Sequence, residues 1–166
     1  MIAVGLDLSL TATGHCSPHG LCSTIKFPGK GMERLHAARM WAISCAFMDA
    51  EHPELVAIEG YSFNSRNSQA HALGELGGVI RLALHDLHVP CIDVPPSSLK
   101  LYATGKGNAP KDAVYGAAIR HGSPAVDNNQ GDAWWLWCIA CHILGYPQVE
   151  ATAYRAKALV AIKAGR

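Results

Sequence analysis

The sequence predicts one α/β domain over residues 1–166, with a mixed sheet flanked by helices. Two observations predict this class: short apolar runs typical of strands alternate with segments of helical period, and three strand-like runs precede the first helix. The chain has 166 residues, of which 49% are hydrophobic and 16% charged, which suffices for a globular core. Its net charge of +1 points to no particular class of partner.

Five strands are expected, and they cover residues 2–9, 15–17, 21–27, 55–59 and 89–94. The first three form an antiparallel meander, because the turn signal Ser17-Pro18-His19-Gly20 separates the second from the third. The other two alternate with helices and complete a mixed sheet.

Apolar residues at helical spacing predict helices over 32–49, 67–87 and 111–120, with a short helical piece after Pro95-Pro96 and an apolar helix that starts near Asp132. The tail, residues 147–166, is expected to hold a mostly polar and exposed helix, separate from the rest. Three glycines in the helix over 67–87 each cost about 1 kcal/mol relative to alanine, which indicates that another element approaches closely.

Three acids stand at the ends of the predicted elements. Asp7 interrupts the first strand, Glu59 ends the fourth, and Asp132 opens the last apolar helix. Acids at strand ends lie at the sheet edge where ligands usually bind, although an acid at a helix start is often only a cap. Converging carboxylates repel one another unless cations neutralise them, and oxygen ligands select Mg²⁺ or Mn²⁺. A pair of such ions is the usual apparatus for phosphodiester hydrolysis.

A second motif lies in the same apolar helix. Cys138-Ile-Ala-Cys141-His142 has the C-x-x-C-H spacing of covalent haem attachment. On a continuous helix, Cys141 lies about 180° from Asp132 and Cys138 about 240°, so both thiols flank the apolar stripe. We therefore interpret them as packing, with no haem. Cys16 and Cys22 lack the C-x-x-C spacing of a zinc site.

The first residues carry no basic segment and reach a carboxylate at Asp7, which is unlike a signal peptide. No apolar run approaches the roughly 18 residues of a membrane span. The six cysteines are therefore expected to be reduced, in a cytoplasmic protein with no membrane partner. Between Lys100 and Arg120 basic residues outnumber acids, which fits either a phosphate backbone or an ordinary solvated face.

Several of these segments together resemble the RuvC family of Holliday junction resolvases, in the order of that family and over about residues 1–145. The similar segments are Met1–Gly14 (MIAVGLDLSLTATG), Ala57–Glu59, Ala72–Val79 (ALGELGGV), Pro96–Lys100, Thr104–Gly107, Lys111–Val114 and Gly131–Ala133. The resemblance implies a ribonuclease-H-like fold and a homodimer formed through the helix over 67–87. It also implies Mg²⁺- or Mn²⁺-dependent cleavage of four-way or other branched DNA, with two ions per active site.

The resemblance further implies that Asp7, Glu59, Asp132 and a fourth residue hold the metal. The fourth acid of the family lies three residues before the last one, and Asn129 occupies that position here. Asp127 is the alternative that we favour, since it carries the missing charge. The family's pattern also implies that Lys100 and Lys111 meet phosphate oxygens of the DNA, with catalytic help from Lys111, and that a loop aromatic, Tyr61 or Phe63, stacks on exposed bases, although either ring is also compatible with the core. Arg66 and Lys106 are further candidates for contacts to DNA because of their charge.

Other functions remain open from the sequence. A nuclease of the same fold acting on RNA or flap substrates needs the same acids, and Asn129 is compatible with a junction-binding protein that no longer cleaves. The segment Asp7–Thr11 faintly resembles the phosphate loop of actin-like nucleotide-binding domains, but a second such loop is absent. The segment DNNQGDA, residues 127–133, is similar to that of phage-encoded RuvC members. This similarity predicts a phage protein that acts in the host cytoplasm.

Overall fold

The structure, a computed structural model, describes residues 2–48, 52–60 and 68–164. Five strands form one sheet in the order β3-β2-β1-β4-β5. They are β1 (Ala3–Asp7), β2 (Thr13–Cys16), β3 (Cys22–Ile25), β4 (Leu55–Glu59) and β5 (Cys91–Val94). Strands β1, β2 and β3 pair antiparallel, whereas β1–β4 and β4–β5 pair parallel. The predicted mixed five-stranded sheet is therefore confirmed.

The described residues form six helices in the predicted order: α1 (Met32–Met48), α2 (Ser68–Asp86), α3 (Pro96–Thr104), α4 (Lys111–Arg120), α5 (Asn128–Ile143) and α6 (Ala153–Ala164). Helices α1 and α2 pack against one face of the sheet, and α3 to α6 build the core on the other face. In the part of the chain that the structure describes, no helix is both long and apolar enough to span a bilayer.

The two faces of β1 belong to different cores. Val4 and Leu6 pack with α1 and α2, whereas Ala3 packs with α5. Because side chains alternate along a strand, Gly5 and Asp7 share the face of Ala3. The last residue of β1 therefore carries its carboxylate to the side of the sheet that α5 covers.

Helix α5 lies in direct backbone contact with the sheet. A Cβ atom on Gly5 of β1 would stand 2.0 Å from the carbonyl oxygen of Ala133, and one on Gly14 of β2 would stand 2.1 Å from that of Asn129. Only glycine at these two positions leaves room for the helix. Its residues from Gln130 to Cys141 are all buried, which explains why the helix is apolar on every side from Ala133 onward.

Helix α6 corrects the prediction of an exposed tail helix. Ala158 and Ile162, one turn apart, are buried in the core that contains α3 and α5. Arg155 is 1% exposed, and its Nε donates to the carbonyl oxygen of Tyr102 at 3.2 Å. Its Nη1 donates to the carbonyl of Glu150 at 2.6 Å. The tail was expected to be mostly polar, but its helix has an apolar stripe and a buried arginine whose donors bind backbone carbonyls.

The C-x-x-C-H segment is part of the core on the α5 side. The thiols of Cys138 and Cys141 are fully buried, and the Nδ1 atom of His142 lies 3.0 Å from the hydroxyl oxygen of Tyr102. The two cysteines of this segment therefore pack inside the core, and His142 contacts α3.

Candidate metal centre

Strand pairing sets two acids side by side. Gly5 of β1 pairs with Ala57 of β4, and Leu6 with Ile58, so Asp7 and Glu59 follow as the next neighbours in this register. Neighbouring strands are about 4.8 Å apart. Ala57 faces the α5 core, and strand alternation gives Glu59 the same side as Asp7.

The third acid comes from α5. Asp132 lies in the second turn of this helix, and the contact of α5 with β1 brings it over the ends of the strands. Ligand atoms of Asp7, Glu59 and Asp132 all lie within 4.8 Å of one another. The structure therefore brings together the three acids that the sequence singled out.

These carboxylates sit in an environment that disfavours their charge. Asp7 and Asp132 are each 8% exposed. Burial, followed by repulsion from Glu59 and Asp132, raises the pKa of Asp7 well above its usual value, and Lys111 only partly opposes this. Burial and then repulsion from Glu59 raise the pKa of Asp132 to about 7, with Lys111 and Lys100 acting in the opposite direction.

Such a cluster must bind protons or cations at neutral pH. Its ligand atoms are all carboxylate oxygens, which hard divalent ions prefer over soft ones. Its combined charge, when ionised, exceeds what the two nearby lysines neutralise. The residues present therefore fit a hard divalent cation.

The acids open onto a cleft of roughly 410 Å³. Asp7, Glu59, Asn129 and Lys111 line it, together with the turn after β1 (Leu8, Ser9, Leu10 and Thr11) and the start of α2 (Gln69, Ala70 and Leu73). With acids at its floor and a lysine in its wall, the cleft suits an anionic ligand that binds to the acids through cations.

Asp127, the fourth ligand that we favoured from the sequence, has other hydrogen-bond partners in the structure. Asp127 is the N-cap of α5: its Oδ1 accepts from the backbone N–H of Gln130 at 2.8 Å, and its Oδ2 accepts from the hydroxyl of Thr24 at 3.4 Å. Both oxygens thus face the helix start and β3. Asp127 would reach the other acids only through a distorted turn, but α5 is regular from Asn128.

Asn129 instead lines the cleft. It precedes Asp132 by three residues, and side chains at this spacing are neighbours on one side of a helix. Its Nδ2 donates to the carbonyl oxygen of Ala12 at 2.8 Å, which fixes the orientation of the amide. Its Oδ1 is then the atom that remains for a cation.

The predicted DNA-contacting residues fall into three groups. Lys111, the first residue of α4, is exposed and lines the cleft, and Lys100 of α3 acts on the charge of Asp132. Lys106 is exposed in the loop between α3 and α4. The remaining three, Tyr61, Phe63 and Arg66, lie outside the described residues.

Two glycines, Gly5 and Gly14, shape the site although they carry no reactive group, and they were not among the predicted site residues. Gly5 and Gly14 let α5 contact the sheet and so determine where Asp132 lies. A glycine inside an apolar strand often marks a close approach of another backbone, and this feature of the sequence could have identified them.

Comparisons with known proteins agree with this architecture. No protein-family model matches the chain. It is 37% identical over 68 residues to the crossover junction endodeoxyribonuclease RuvC of Prochlorococcus marinus (strain MIT 9303), an alignment that covers 41% of this chain and 44% of that protein. It is 30% identical over 101 residues to RuvC of Synechococcus sp. (strain RCC307), covering 61% of this chain and 62% of that protein. The aligned parts thus span about half the length of these relatives.

Solved structures extend the similarity to most of the chain. The Thermus thermophilus RuvC structure superimposes with a TM-score of 0.63 at 20% identity and covers 88% of this chain and 98% of the other. T. thermophilus RuvC in complex with Holliday junction substrate gives a TM-score of 0.66 at 19% identity, covering 88% and 97%. The chain is therefore similar to RuvC proteins in part of its sequence and in fold over most of its length, and the predicted ribonuclease-H-like fold is confirmed.

Proposed function

We propose that the chain is a metal-dependent endonuclease that cleaves Holliday junctions and other branched DNA by hydrolysing a phosphodiester bond. The observation that carries the proposal is the convergence of the Asp7, Glu59 and Asp132 carboxylates within 4.8 Å of one another, beside a cleft that Asp7 and Glu59 line. The similarity to RuvC, one structure of which holds a Holliday junction substrate, supports this choice of substrate.

Asp7, Glu59 and Asp132 would hold the metal, which we propose to be two Mg²⁺ or Mn²⁺ ions per site. Such ions, when bound, lower the pKa of a water molecule and neutralise phosphate charge. The buried acids Asp7 and Asp132 would bind cations as carboxylates, and so would lose the protons that burial otherwise favours. Lys111 in the wall of the cleft would meet a phosphate oxygen and stabilise the negative charge of the transition state.

Asn129 is the proposed fourth ligand, through its Oδ1. An amide oxygen is a suitable ligand for a hard cation but adds no negative charge. The site would then hold its ions with three formal charges rather than four. We expect it to need a higher concentration of free metal than a site with an acid at position 129.

We also propose that α2 forms a homodimer interface. Gly78 and Leu82 lie one turn apart on the exposed side of α2, and Leu82 is 58% exposed. A Cβ atom on Gly78 would meet no atom of the described residues within 4 Å, so packing inside the monomer gives no reason for this glycine. A second helix could approach closely there. A two-fold dimer would present two clefts to two strands of a junction.

The test is a nicking assay on a synthetic four-way junction, a flap, a linear duplex and an RNA–DNA hybrid. We expect nicking of the junction with Mg²⁺ or Mn²⁺ and none with EDTA. Asp7→Asn should abolish nicking while junction binding persists, whereas Asp112→Asn, an exposed acid of α4, should cleave normally. Normal cleavage by Asp7→Asn would exclude the carboxylate mechanism.

The same panel separates the alternatives. Preference for the hybrid or the flap would reassign the substrate. A wild-type protein that binds junctions in every metal but never cuts them would be a junction-binding protein, an outcome with which Asn129 is compatible.

A further inference from the structure

Two thiols face each other across the hairpin formed by β2 and β3. Cys16 and Cys22 are direct partners in the antiparallel register. One residue nearer the turn, the N–H of Ser17 donates to the carbonyl oxygen of Leu21 at 2.9 Å. Hydrogen-bonded and non-hydrogen-bonded pairs alternate along an antiparallel ladder, so Cys16 and Cys22 form a non-hydrogen-bonded pair. Cα atoms of such pairs are about 4.5 Å apart, within the roughly 4.4–6.8 Å that a disulfide spans.

The two side chains also point to the same side of the sheet. Direct partners in a ladder share a face, and here it is the face covered by α5: Cys22 Sγ donates to the carbonyl of Gln130 at 3.8 Å, while Cys16 packs with Cys138. The two thiols lie close enough for each to shift the pKa of the other. The pair therefore has the Cα separation and the shared side of the sheet that a bond between the two sulfurs requires.

The two thiols differ in access. Cys16 is fully buried, whereas Cys22 is partly exposed. The hydrogen bond from Cys16, and a weaker one with Ser123, lower the pKa of Cys22, although burial opposes them. Burial raises the pKa of Cys16. Cys22 is thus the thiol that meets an oxidant first, and Cys16 is placed to react with it afterwards.

We propose that Cys16 and Cys22 are a reversible dithiol–disulfide site whose oxidant is a small-molecule disulfide of the glutathione type. The Cys22 thiolate attacks one sulfur of the oxidant, forming a mixed disulfide and releasing one small thiolate. The Cys16 thiol then gives its proton to solvent and attacks the Cys22 sulfur, which releases the second small thiolate. Two protein thiols are oxidised and one small disulfide is reduced to two thiols, which take up the two protons. The site is independent of the proposed nuclease activity.

Trypsin offers a direct readout of this site. Residues 1–26 contain no internal Lys or Arg, and Cys16 and Cys22 are their only cysteines. The native protein is equilibrated at a series of ratios of oxidised to reduced glutathione, quenched in acid, alkylated, digested and weighed by mass spectrometry. The same chain unfolded in urea provides the reference, so the central comparison needs no variant.

We expect the peptide 1–26 of the native protein to lose two hydrogen atoms in mass at a glutathione ratio at least about tenfold less oxidising than the unfolded chain requires, since a disulfide that suits the native geometry is stabilised by folding. Cys16→Ser should retain a glutathionyl group on Cys22, and Cys22→Ser should give neither product. Cys91→Ser, which alters an exposed thiol outside the peptide, should leave the result unchanged. A native peptide that stays reduced where the unfolded chain is oxidised, or that keeps a glutathionyl adduct with Cys16 present, would overturn the proposal.

Discussion

Removing the negative charge of Asp132 should stabilise the metal-free protein at neutral and alkaline pH. Burial and repulsion from Glu59 raise the pKa of this carboxyl from 3.8 to about 7. A difference of roughly three pH units corresponds to about 4 kcal/mol between the folded and unfolded states. Asp132→Asn removes the ionisable group and keeps its shape, so we expect a gain in the free energy of unfolding of up to about 4 kcal/mol.

The stability that Asp132→Asn gains over the wild type should increase with pH. The folded protein holds the Asp132 proton up to about pH 7, whereas the unfolded chain loses it near pH 3.8. The folded state therefore binds more protons between these values, and the stability of the wild type falls as pH rises through this window. At pH 4 the variant and the wild type should differ little, and above pH 7 the full difference should appear.

Urea unfolding in EDTA at pH 4 and pH 8 measures the effect, with Asp112→Asn as the control for loss of an exposed acid in α4. Adding Mg²⁺ or Mn²⁺ should reverse the order at pH 8, because the ion stabilises the wild type more than a variant that lacks a ligand. If Asp132→Asn is no more stable than the wild type in EDTA at pH 8, the electrostatic account of the site is wrong.

Substitutions at three further features of the structure give separate tests. Gly5→Ala should cost about 1–3 kcal/mol or more in urea unfolding and abolish nicking, because its Cβ would stand 2.0 Å from the Ala133 carbonyl; an unchanged stability would show that α5 does not need this contact. Asn129→Asp should lower the Mg²⁺ concentration for half-maximal nicking severalfold, whereas Asp127→Asn should leave it unchanged and keep the α5 cap, because asparagine caps a helix as well as aspartate does; the opposite pattern would restore Asp127 as the ligand. Gly78→Leu should shift the protein from dimer to monomer in sedimentation without loss of monomer stability, while Gly78→Ala should stabilise the helix by up to about 1 kcal/mol; a dimer unaffected by leucine would place the interface elsewhere.

Much of the fold could be predicted from the sequence, because strands and helices depend on local features such as apolar runs and helical spacing. The bounds predicted for β4 and α4 match the structure, since each is an apolar or periodic run with clear flanking residues. The first strand, by contrast, ends at Asp7 and not at Ser9. The backbone N–H of Ser9 there donates to the hydroxyl of Thr13 at 3.1 Å, and this contact belongs to the turn into β2.

The tail was misjudged for a related reason. The three basic residues of α6, Arg155, Lys157 and Lys163, make the helix look solvent-exposed when it is considered alone. Arg155 becomes part of the core because the backbone carbonyls of Tyr102 and Glu150 accept its donors, and no local pattern indicates a partner as distant in sequence as Tyr102.

By itself the sequence singled out Asp7, Glu59 and Asp132, because each was expected at the end of an element, where a charge needs a reason. Only the tertiary structure shows that Asn129 lines the cleft while Asp127 caps α5. This placement depends on where α5 begins and on how closely it lies over Gly5 and Gly14, where a Cβ atom would stand 2.0 Å and 2.1 Å from backbone carbonyl oxygens of the helix. A helix start fixes which side chains point into the cleft, and a contact between distant backbones fixes how near they come.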